Sequence, residues 1–193
     1  VDNVVTAAIA AGKAAYEDRS SGALYYGKTE AEHLQYDSRY PLVYDENMHQ
    51  LRFEPDDGAY NGIRLIFFAA HAESLRGDNL LISRDFPGIM ADEIKAARGD
   101  GMLCIPGAIG GLIMTKEFVG STTIQAVENL QITADKLIDY ALSITPESER
   151  ELAPKLALSR TEFSIPLDNT AFLLYKTLGI LGTKAIPMES ATG

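Results

Sequence analysis

Eight consecutive residues, Ile63 to Ala70, carry one charge (Arg64) among otherwise apolar side chains and run directly into His71. A run this short, rich in Ile, Leu and Phe, fits a strand covered on both faces and lying in the centre of a sheet. Its neighbour is readable too. His49 to Glu54 alternates polar and apolar, and the cluster Pro55-Asp56-Asp57-Gly58 supplies the turn chemistry after it. A second buried strand is expected at Met102 to Ile105, opening into Pro106-Gly107-Ala108-Ile109-Gly110-Gly111. A short strand is expected at Ala23 to Tyr26, and Gly27 to Asn47 shows no clean period. An irregular stretch of that length is often functional.

Between these strands the period changes to that of a helix. Asp2 to Asp18 places Val4, Val5, Ala8, Ile9, Ala15 and Tyr16 on one stripe. Pro87 to Arg98 is helical and stopped by Gly99, and Thr122 with Gln125 forms a capping box for a helix reaching about Ile144. That last helix is expected to bury Val127, Leu130, Ala134, Leu137, Ile138, Ala141 and Leu142. Pro146 to Pro154 reads as a charged linker, Leu156 to Leu167 as an alternating strand, and Asp168 or Asn169 as the cap of a final apolar helix. Strands interleaved with helices predict an α/β fold, a layered mixed sheet with helices packed on it. Residues 1–193 are expected to form a single domain or a large part of one.

Charge removes several functions. Seventeen Lys+Arg against 27 Asp+Glu leave a net charge of −10, which repels nucleic-acid backbones and anionic headgroups. No nucleic-acid partner is expected. Cys104 is the one cysteine, so there is neither an internal disulfide nor a cysteine zinc cluster. Met102 to Met114 is the longest nearly uncharged apolar stretch; it is too short to span a bilayer and is broken by Pro106 and glycines. The chain reads as soluble.

Three places carry candidate chemistry. His71 stands at the carboxyl end of a buried strand, where α/β sheets open their crevice, and its imidazole suits a metal or a proton; the alternative is a strand-end histidine bonded to backbone. His33 and His49 read as surface residues. Asp85 precedes Phe86-Pro87-Gly88 at a helix start. It reads either as a cap alone or as a carboxylate that also orients a metal-bound histidine. Gly107, Gly110 and Gly111 form a loop whose backbone N–H groups suit an anion or oxyanion, with a tight turn as the alternative. That loop is neither a dinucleotide fingerprint nor a P-loop, and Cys104 reads as an inert thiol.

In order, these segments resemble the neutral/alkaline ceramidase family. The apolar strand ends at His71. Asn79-Leu80-Leu81-Ile82-Ser83-Arg84-Asp85-Phe86-Pro87-Gly88 follows and opens a helix, and the next strand runs into Pro106-Gly107-Ala108-Ile109-Gly110-Gly111. Leu51-Arg52-Phe53 with the Asp57-Gly58 turn, and Leu158 to Leu167, are similar to the family's flanking segments. The resemblance implies a zinc-dependent hydrolase of N-acyl amide bonds, acting on a small lipid-like N-acyl amide such as ceramide, in an exported or surface-associated protein. It puts His71 on a zinc ligand and Lys28 on a cationic position that steadies the transition state. It also implies that the other ligands, a His before Val1 and a Glu and a Tyr after Gly193, belong to other segments of the polypeptide. The family's catalytic serine falls on Ile113, which has no nucleophile to offer. A substrate other than ceramide, or a non-catalytic member kept for binding or assembly, follows from that difference. An unrelated α/β enzyme using the glycine loop for anions is the third expectation.

Overall fold

The computed structural model describes residues 2–58, 61–75, 79–80, 82–110, 113–116, 123–163 and 169–180. It divides into two compact units, Val1–Lys155 and Leu156–Gly193. In chain order the first holds α1 (Asp2–Glu17), β1 (Gly22–Glu30), β2 (Gln35–Asp37), β3 (Asn47–Pro55), β4 (Ile63–Phe68), α2 (Asp85–Arg98), β5 (Gly101–Pro106), β6 (Ile113–Thr115), α3 (Thr123–Ser143) and β7 (Arg150–Glu151). A 3-10 turn, Pro146–Ser148, joins the last two. The second unit contains α4 (Thr170–Thr177), whose Asn169 side chain caps the N–H groups of Ala171 and Phe172.

The main sheet has the order β5-β4-β3-β1-β7, and β2 pairs with β6 in a small second sheet. β3 and β4 form the expected antiparallel pair, with Leu51 opposite Leu65, while β4 and β5 run parallel with Ile66 opposite Cys104. A parallel pair needs a crossover, and α2 supplies it between β4 and β5. This is an α/β fold of layered mixed sheet and helix.

Alternation decides what is buried. Met48 of β3 and Ile66 and Phe68 of β4 point to one face of the sheet. There they pack with Phe86, Met90 and Ile94 of α2 and Leu130, Ala134, Leu137, Ile138 and Ala141 of α3. Each such side chain contributes roughly 1.5–3 kcal/mol by leaving water. The opposite face, with Leu51, Leu65 and Phe67, is only half-buried.

Several expectations are therefore corrected. β4 is central but covered by helices on one face, because α2 and α3 share that face. β5 is the sheet edge rather than a buried strand, and its Leu103 is exposed. Val127 of α3 is exposed although it falls on the expected stripe. Over residues 156–163 there is no strand, and Leu156, Leu158 and Phe163 are exposed, because alternation without a partner strand has nothing to bond to. β1 is longer than expected, and part of the supposedly irregular stretch forms β2. α1 is helical as expected but buries no residue.

Helix ends follow local chemistry. α2 stops at Gly99, whose φ of 76° is left-handed and whose N–H bonds the Lys95 carbonyl. α3 starts at Thr123, and the expected capping residue Thr122 lies outside the described residues. The Asp168 cap, like Gly111, lies outside them too.

Candidate functional site at the carboxyl end of β4

Past Phe68 the chain leaves the main sheet and meets the small one. The His71 N–H donates to the Ile113 carbonyl at 2.9 Å, and His71 bridges Met114 in parallel register. The backbone is thus fixed on both sides of the imidazole. Its Nδ1 lies 3.8 Å from Glu73 Oε1. Its Nε2 is buried and has no hydrogen-bond partner among the described residues. Buried polar atoms are nearly always bonded, so a nitrogen left open asks for an explanation. Ile113, whose carbonyl takes the bond from the His71 N–H, is itself 1% exposed.

Asp85 starts α2 in a left-handed conformation, φ 52°. It is buried, and both carboxylate oxygens are used. Oδ2 accepts from the Ser74 N–H at 2.9 Å, and Oδ1 accepts from Ser74 Oγ at 2.7 Å and from the Phe86 N–H at 2.8 Å. The Asp85 N–H in turn donates to Ser83 Oγ. Asp85 therefore ties the loop that carries His71 to the first turn of α2, acting on it through Ser74. The cap itself differs from the expectation. Arg84 occupies the N-cap without a side-chain capping bond, its guanidinium pairing with Asp92 instead, and Asp85 is the first helical residue.

The glycine loop sits at the same end of the sheet. A Cβ on Gly107 would come within 3.2–3.3 Å of Ala69, so glycine is needed there for close packing. Its N–H donates to the Phe68 carbonyl, which takes that donor away from the anion role expected of it. Gly110 has open space around it. With Ala108 it lines a cleft of about 440 Å³ whose other wall is Asp37, Arg39, Val43 and Asp45.

Lys28 lies on β1, opposite His49, two strands away from the β4 end that bears His71. Its ammonium is exposed and donates to Asn47 Oδ1 at 3.3 Å. His49 is half-buried and bonds Tyr26 through Nδ1 at 2.8 Å, and His33 is exposed. Cys104 turns towards the helices, and burial pushes its thiol pKa up to about 11, the behaviour of an inert cysteine.

Sequence reasoning missed the residues that shape this end. Gln35 Nε2 donates to both the Asp45 and Ala69 carbonyls, at 2.7 Å each, and so clamps the 37–45 loop to the end of β4. The only signal for it was the length of the irregular stretch around it.

Zinc needs about three protein ligands. Among the described residues no group of three His, Cys, Asp or Glu side chains is placed to hold a metal. His71 offers one nitrogen, so the described residues alone do not fit zinc. Nor is any helix among them long and apolar enough to cross a membrane.

The fold has solved counterparts. The chain superposes on neutral ceramidase from Pseudomonas aeruginosa with a TM-score of 0.58 at 18% identity, covering 70% of this chain and 24% of that one. It superposes on a ceramidase complexed with C2 with the same score and coverage at 16% identity. Identities this low show a shared fold, and the chain spans about a quarter of each ceramidase. No protein-family model matches the sequence, and no curated protein matches it.

Proposed function

We propose that this chain is the central α/β layer of a ceramidase-like, zinc-dependent hydrolase of N-acyl amide bonds. The observation that carries the reading is the buried, unbonded Nε2 of His71, on a backbone fixed by Ile113 at the carboxyl end of β4. Such a nitrogen is suited to ligation when the remaining ligands come from residues beyond those described. Asp85 is a positioning residue in this reading, because it holds the His71 loop through Ser74. The cleft beside Gly110 receives the amide substrate, and Arg39 and the Gly110 N–H are the groups there that favour a developing negative charge. Lys28 adds positive potential from β1.

The substrate class is an N-acyl amide, with ceramide as one member. Ile113 in place of a serine means that this chain brings no hydroxyl nucleophile to that point. The test is hydrolysis of N-acyl sphingosine and of short N-acyl amides by the complete protein, with and without a chelator. Chelator-sensitive release of fatty acid from either supports the reading, and turnover of neither overturns it.

A second reading is favoured by Ile113 alone. Its buried side chain suits a member that keeps the fold for binding or assembly. Tight binding of an N-acyl amide without turnover, by a protein that carries no zinc, would select it.

A further inference from the structure

We propose that the Tyr36 hydroxyl contacts the scissile amide across the small sheet from His71, donating a hydrogen bond to its carbonyl oxygen. This role rests on the amide-hydrolase reading. Register places the two residues. Tyr36 pairs with Met114 in the β2–β6 sheet, and His71 bridges the same Met114 along the other edge of β6. Directly paired residues of neighbouring strands put their side chains on one face. Tyr36, Met114 and His71 therefore form one row. Two strand spacings, roughly 10 Å, separate the outer backbones, which leaves room for one amide group between phenol and imidazole.

Alternation gives that row the open face. Gln35 and Asp37 on either side of Tyr36 are buried, as are Ile113 and Thr115 on either side of Met114. Tyr36 itself is 40% exposed, Met114 is half-buried, and the His71 side chain is 26% exposed. The polar side chains that flank Tyr36 are spent inward. Gln35 Nε2 donates to the Asp45 and Ala69 carbonyls, and the Asp37 carboxylate accepts from the Arg39 and Val43 N–H groups at 2.9 Å each. These bonds fix β2 on both sides of Tyr36, so its ring is turned outward before any substrate arrives. Asp37 also lines the cleft with Gly110. Tyr36 is thus one residue from the cleft wall and two strands from His71.

The chemistry of the row suits an amide. Met114 supplies an adaptable apolar floor on which part of an acyl chain can lie. A phenol O–H is a hydrogen-bond donor, and neither Met114 nor Ile113 brings one to this place. When water adds to the amide carbon, the carbonyl oxygen gains negative charge. A donor already in position bonds that charged oxygen more strongly than the neutral one. The phenol keeps its proton throughout, so nothing has to be returned to it.

Tyr36→Phe removes the hydroxyl and keeps the ring. The complete protein and this variant are compared on a soluble short-chain N-acyl amide, with kcat and KM separated and bound zinc and melting temperature measured for each. Expected is a fall in kcat on the order of 10²-fold with KM within about threefold, zinc and melting being unchanged. Tyr16→Phe in α1, at an exposed tyrosine, keeps the parental kinetics. A kcat within about twofold of the parent, a loss confined to KM, or an equal loss with Tyr16→Phe overturns the role of Tyr36 and leaves the hydrolase reading standing. Loss of zinc or of stability in Tyr36→Phe makes the residue a structural one and overturns that role too. No turnover by the parent removes the hydrolase reading itself, and the role with it.

Discussion

At the amino end of β4 the charges are closed into one network, while at its carboxyl end a buried nitrogen is left open. Glu149, its side chain 1% exposed, accepts from Arg52 Nε at 2.8 Å and from Gln50 Nε2 at 2.8 Å, and lies 4.0 Å from Arg64 Nη1. Arg64 also pairs with Asp100, and Arg52 with Glu54. Burial alone would lower the pKa of Arg52, but its bonds to Glu149 and Glu54 outweigh it and hold that pKa above the ordinary value. For Arg64 burial wins over Asp100, and the pKa falls. The charged groups of that network are spent on one another, although Gln50 Oε1 beside them is buried without a described partner. At the His71 end, Asp85 is equally satisfied, but the imidazole it helps to position keeps Nε2 free of any described partner. The difference is between buried charges that neutralise one another and a buried imidazole nitrogen, which the proposed function assigns to a ligand.

The largest effect expected from breaking this contrast is at Glu149. Glu149→Ala leaves Arg52 and Arg64 buried with too little negative charge, at about 3–5 kcal/mol. In a domain of this size that is a fall in melting temperature on the order of 10 °C. A melt within a degree or two of the parent would show that the network adds nothing. Asp85→Ala comes next. It strands the Ser74 and Phe86 N–H groups and is expected to cost about 2–3 kcal/mol by chemical denaturation. Asp85→Asn keeps one acceptor and tolerates the left-handed backbone, so its loss should be roughly half. Equal losses from both would mean that the carboxylate's second oxygen is not used as described.

The smallest effect sharpens the comparison at an exposed carboxylate. The side-chain and backbone bonds from Asn47, helped by His49, hold the Asp45 carboxyl below the usual carboxylate range. A depressed carboxyl stabilises the fold above its unfolded pKa of about 3.9, and that contribution is lost as pH falls through the folded value. Asn47→Ala should raise the Asp45 pKa towards the ordinary value in an NMR titration. An unchanged titration would remove Asn47 as the cause.

What was legible in the sequence follows the range of the interactions. The β3–β4 pair and the helices α2 and α3 rest on local periodicity and turn residues, and each appears within a few residues of where the pattern puts it. The exposed edge at β5 and the half-open face of β4 depend on which side the helices choose, which no local pattern records. Glu149 reads as part of a charged linker because its partners Arg52 and Gln50 lie 97 and 99 residues away. The alternation of Leu156 to Phe163 looks like a strand, and the described residues give it no partner. At the site, His71 was placed by its position after an apolar run, whereas Gln35 and the pinning of the 39–44 loop by Asp37 needed the fold.

The central claim is that His71 Nε2 is kept open for a metal completed by residues outside those described. Elemental analysis of the complete purified protein, beside its His71→Ala variant, tests this most directly. The account predicts about one zinc per molecule in the parent and almost none in the variant, with melting temperatures close together. Zinc absent from both, or retained equally by the variant, would contradict it and leave His71 as a strand-end residue of a shared fold.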